Sequence, residues 1–141
     1  MNQRPSPLLV VSAALYFGGA LPLLFAPEEL LAFAGAPPSI LDVALLQLLG
    51  SAIFGFAMLN WSNRYSRVGG IFGRPLVAAN LAHAGSAALL LGHIARRVPF
   101  STPLTVALAL YGSLAAAFGY KLFVQPSTLP DPESHDGASV S

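Results

Sequence analysis

Asn80, His83 and Ser86 stand three residues apart inside one apolar run, 75–94. On a helix that spacing keeps three side chains within about a third of the circumference. An amide, an imidazole and a hydroxyl would then share one stripe. His83 lies about two residues from the centre of the run, and an ionisable group at that depth is by default a functional candidate. Gln47, in the earlier apolar run 40–61, could meet the stripe from an antiparallel neighbour. Four chemistries are open to such a set: a neutral imidazole hydrogen-bonded between helices, a proton relay, a contact to a quinone headgroup, or a metal or haem ligand. Geometry restricts the haem. His83 and His93 share one run and stand roughly 15 Å apart along a helix axis, too far to ligate one iron. His135 lies in a polar tail. A bis-histidine haem would therefore need His83 from two copies of the chain.

Other catalytic sets are missing from the 141 residues. Without cysteine there is no disulfide, thiolate metal site or cysteine nucleophile. The HExxH, GxSxG and P-loop patterns are absent. Asp42 stands alone near one end of an apolar run, so no paired carboxylates can share acid and base work. The reading is a non-catalytic chain with no metal site and no resident cofactor.

The elements that must position His83 follow from composition. Charged residues make up 9% of the chain and hydrophobic residues 55%, whereas a soluble domain carries about 25% charged residues. So short a chain could not hide that apolar surface in water, and a bilayer is the expected solvent. No basic patch interleaved with aromatics is present, which argues against a nucleic-acid partner.

Four apolar runs are long enough to cross a hydrocarbon core of roughly 30 Å: about 8–25, 40–61, 75–94 and 103–123. They make up a four-span domain, 8–124, between a polar lead, 1–7, and a disordered tail, 125–141, rich in Ser, Pro and Asp. Gly18-Gly19-Ala20 also offers the small residues of a signal-peptide cleavage site. The run continues past them, and a first span is the reading adopted. The segment 27–35 is too short to span. Pro27 suits a first helical position, Glu28 and Glu29 suit the first turn, and Gly35 suits the stop. A short helix lying at the membrane interface is expected there. The predicted fold is all-α, an integral membrane four-helix bundle with an interfacial helix after the first span.

Lysine and arginine give the orientation. Arg4, Arg64, Arg67, Arg74 and Lys121 fall on the side shared by both termini, and Arg96 and Arg97 on the other. The positive-inside rule then puts both termini in the cytoplasm, in a cell inner membrane. His93, Arg96 and Arg97 could hold an anionic lipid headgroup or simply snorkel to the interface. Asn60, Trp61 and Arg64 read as interfacial anchors. Small residues recur at helical spacing: Ser51 and Gly55, Ala84 and Ala88, Gly85 and Gly92, Ala115 and Gly119, Gly112 and Gly119. Such stripes let backbones approach closely, either inside the bundle or against another protein.

The first hairpin reads Leu21-Pro22-Leu23-Leu24-Phe25-Ala26-Pro27-Glu28-Glu29-Leu30-Leu31, and the second span carries Gly50, Gly55 and an Asn60-Trp61 exit. In these features the chain is similar to small bacterial four-helix integral membrane proteins of DoxX-like or uncharacterised type. The resemblance implies the fold and no shared activity. The expected function is an accessory or assembly subunit packed against a larger membrane complex, surrounded by membrane lipids. The alternatives are a self-associating transporter or channel with a polar path at His83, and a quinone- or haem-linked redox component.

Overall fold

A computed structural model describes residues 4–65, 73–99 and 101–124. Arg67 and the tail expected over 125–141 lie outside the described residues. Regular structure within them is entirely α-helical: α1 (Pro7–Phe25), α2 (Pro27–Phe33), α3 (Ile40–Ser62), α4 (Gly73–Ala95) and α5 (Thr102–Phe123). α1, α3, α4 and α5 are each long and apolar enough to cross a membrane. The chain is an all-α, multi-pass membrane protein.

Local chemistry sets the helix ends. Pro7 and Pro27 occupy the first turns of α1 and α2, where a missing N–H costs nothing because it has no intrahelical partner. α2 stops at a Schellman turn. Gly35 adopts φ +73°, and its N–H and that of Ala36 donate to the carbonyls of Ala32 and Leu31. Only glycine takes that backbone conformation without strain. Ser39 caps α3: its hydroxyl accepts from the Asp42 N–H at 3.1 Å and donates to the Asp42 carboxylate at 2.6 Å. Asp42 is thereby spent on the cap. α4 begins two residues before Pro75, at Gly73, because a proline in the third helical position still forfeits no intrahelical bond.

The helices form two antiparallel hairpins, α1 against α3 and α4 against α5. In the first, Ser12 meets Asn60 near one end, and the Leu24 carbonyl accepts from Gln47 near the other. Gly50 sets the spacing. A Cβ there would come within 2.9 Å of Leu23 Cβ and 3.1 Å of the Leu24 backbone nitrogen, so only glycine lets the two backbones approach this closely. In the second hairpin, Gly92 faces Leu108 and Gly119 faces Leu81. Large side chains join the hairpins, with Leu9, Tyr16, Val77, Leu114 and Phe118 in the buried core.

Candidate functional site

Two polar features lie within the bundle, one near the end that carries both termini and one at mid-depth. The first is a knot of amides. Asn60 Nδ2 donates to Asn80 Oδ1 at 2.8 Å, and Asn80 Nδ2 returns a bond to Asn60 Oδ1 at 2.7 Å. Asn60 also donates to the Ser12 hydroxyl at 3.0 Å, Asn80 to the Leu76 carbonyl at 2.9 Å, and Ser12 to the Leu9 carbonyl at 3.2 Å. All three side chains are fully buried. A polar group left unpaired in lipid costs several kcal/mol, and this set leaves none of its oxygens unpaired. The knot ties α1, α3 and α4 together in one register.

The second feature surrounds His83. Phe56 of α3 stacks on the imidazole, with centroids 4.4 Å apart and planes within 17°. Tyr16 of α1 and Tyr111 of α5 meet it edge-on at 5.4 and 5.8 Å. All four long helices thus contribute a ring. His83 Nε2 and the Tyr16 hydroxyl are both buried, and among the described residues neither has a hydrogen-bond partner. A phenol can donate or accept, and a neutral imidazole nitrogen does one or the other. Here the interior keeps hydrogen-bonding capacity that the knot has used up.

The stripe expected at positions 80, 83 and 86 divides. Asn80 turns into the knot, His83 into the aromatic cage, and Ser86 is exposed with its hydroxyl on the His83 carbonyl at 3.0 Å. Gln47 does not join them. Its amide donates to the Leu24 carbonyl at 3.3 Å. The register that sets Phe56 against His83 carries residue 47 roughly 13 Å along α3, at 1.5 Å per residue. Asn60 is likewise a core residue rather than an interfacial anchor. Trp61 and Arg64 remain at the end of α3, Trp61 half exposed with the Arg64 guanidinium 4.2 Å above its ring. His93, Arg96 and Arg97 are exposed at the opposite end of the bundle.

The small-residue pairs also divide. Gly92 and Gly119 pack at the α4–α5 contact, and Ala84 is buried. Gly85 and Gly112 are half-buried, with nothing within 4 Å of an added Cβ. Ser51 and Gly55 point away from the core. Both are exposed, and a Cβ at Gly55 would also meet nothing within 4 Å. Sequence reasoning misses Ser12, Tyr16, Phe56 and Tyr111, and takes Asn60 only as an interfacial anchor. Ser12 and Tyr16 carry a usable signal, since four residues put them on one stripe of α1.

Comparison with protein-family models, curated proteins and solved structures found no match.

Proposed function

We propose that this protein is a non-catalytic accessory or assembly subunit that packs against a larger complex in a cell inner membrane, with both termini in the cytoplasm. The observation that carries the reading is the outward Ser51–Gly55 notch. Small residues one turn apart allow close helix approach; both are exposed, and a Cβ at Gly55 would meet nothing within 4 Å. The internal polar groups agree with a packing role, since the amide knot is spent on holding helices together. Basic residues at the end that carries the termini support the orientation, and α2 suits the interface of the other leaflet. The likeness of the first hairpin to DoxX-like proteins belongs to the same proposal.

The test is the native mass and composition of the tagged protein after mild detergent extraction from its own host. Stoichiometric larger proteins are expected with the wild type, and their loss is expected with Gly55→Leu. A small oligomer running alone would refute the reading. The unpartnered His83 Nε2 and Tyr16 hydroxyl favour a second reading, a homo-oligomeric transporter or a quinone- or haem-linked component centred on the cage. It predicts that His83→Phe folds normally and loses activity in the host.

A further inference from the structure

A groove of about 500 Å³ runs between α1 and α3 on the outer surface of the bundle, lined by Val10, Ala13, Ala14, Phe17, Met58 and Trp61. Its lining is almost wholly apolar. Along α1 it extends from Val10 to Phe17, roughly 10 Å at 1.5 Å per residue. The Phe17 ring meets Phe54 at 5.2 Å and closes the deep end. The alanines form the floor because residues 10, 13, 14 and 17 share one stripe of a helix, and their small side chains leave the space.

The other end opens beside a fixed cation. Arg64 lies over Trp61 at 4.2 Å and near Tyr65 at 4.6 Å, and its Nη1 donates to the Trp61 carbonyl at 2.7 Å. Its own carbonyl accepts from the Ser6 N–H at 2.6 Å, which pins it to the start of α1. The guanidinium is therefore held at the mouth by two aromatic faces and one hydrogen bond, on a backbone tied to α1 by the other. It has five N–H donors in a flat fork suited to phosphate.

We propose that this groove binds one acyl chain of an anionic phospholipid, with the lipid phosphate held by Arg64. A long apolar slot that ends at a positioned arginine matches a molecule with an alkyl chain on one side of a phosphate. A phospholipid supplies both features in one molecule, an alkyl chain for the slot and a phosphate for the guanidinium. Arg4, Arg74 and Lys121 lie at the same end of the bundle and favour a net negative headgroup over a zwitterionic one.

Trp61 makes the test direct, because it is the chain's one tryptophan and it lines the groove. The full chain is reconstituted in phosphatidylcholine vesicles with increasing phosphatidylglycerol, brominated near the carbonyl end of its chain, and tryptophan quenching is followed. Saturation at a low mole fraction of the anionic lipid is expected, with weaker quenching by brominated phosphatidylcholine. Arg64→Gln should lower the preference for the anionic lipid about fivefold, the contribution of one basic side chain near a membrane surface. Ala14→Phe adds a ring on the exposed edge of the floor and should remove the saturable phase while leaving the helix content unchanged. Quenching that rises linearly, alike for both lipids and in both variants, would mean ordinary boundary lipid and overturn the proposal. So would relief of quenching by inorganic phosphate, which would assign the arginine to a free anion, or a groove kept lipid-free by a co-purifying helix.

Discussion

The two faces of α3 use glycine in opposite ways. On the inner face, a Cβ at Gly50 would collide with Leu23 and with the Leu24 backbone, and further along the same face Asn60 is sealed in the amide knot. On the outer face, five residues on from Gly50, Gly55 has only open space around it. The sequence presents the two glycines alike, inside one apolar run. The inner glycine is needed for this chain to fold, and the outer one is not. A small residue that the fold does not require, beside a second small residue one turn away, is what a partner helix needs.

Substitutions can sharpen or break that contrast. The largest effect is expected at Gly50. Gly50→Val forces atoms into a contact lined by backbone, and overpacking of this kind costs about 3 kcal/mol. Denaturant titration in micelles should show the loss, and wild-type stability would mean that α1 and α3 are not this close. Next comes the knot. Asn60→Leu leaves Asn80 Oδ1 without its donor and removes the bond that the Ser12 hydroxyl accepts, with a cost of about 2 kcal/mol. The double variant Asn60→Leu/Asn80→Leu should recover part of that, because removing both partners leaves less polar surface unpaired. If the double loss is the sum of the singles, the reciprocal bonds are not formed.

His83→Phe should change stability by no more than about 1 kcal/mol, since an aromatic replacement keeps the stacking on Phe56. It also removes an unpartnered nitrogen. Thermal unfolding reads the stability, and a large loss would show that His83 has a hydrogen bond absent from the structure. The smallest effect on folding is expected at Gly55. Gly55→Leu should stay within about 0.5 kcal/mol of wild type, as outward substitutions do, while abolishing association.

The helices were legible because uninterrupted apolar runs of about 20 residues have few other uses, and α2 because a proline and two glutamates open it and Gly35 ends it. The grouping of side chains was harder. Periodicity tells which residues of one helix share a face. It does not give the register between helices, so Gln47 was matched to His83 when Phe56 is the residue at that level. Asn60 misled for a related reason. Beside Trp61 and Arg64 it has the sequence context of a membrane boundary, yet α1 and α4 cover that end of α3 and bury it. The direction of the Ser51–Gly55 pair was likewise open, since small-residue spacing is the same for an inner and an outer contact.

On the proposed function, the outer face of α3 meets another protein. A photoreactive amino acid placed at position 55 and irradiated in intact host membranes examines that face where it works. Leu89 on α4, 78% exposed, serves as the comparison position. The account predicts a discrete adduct with a different, larger chain from position 55 and none from position 89. Adducts with lipid alone, with a second copy of this chain alone, or the same products from both positions would contradict it.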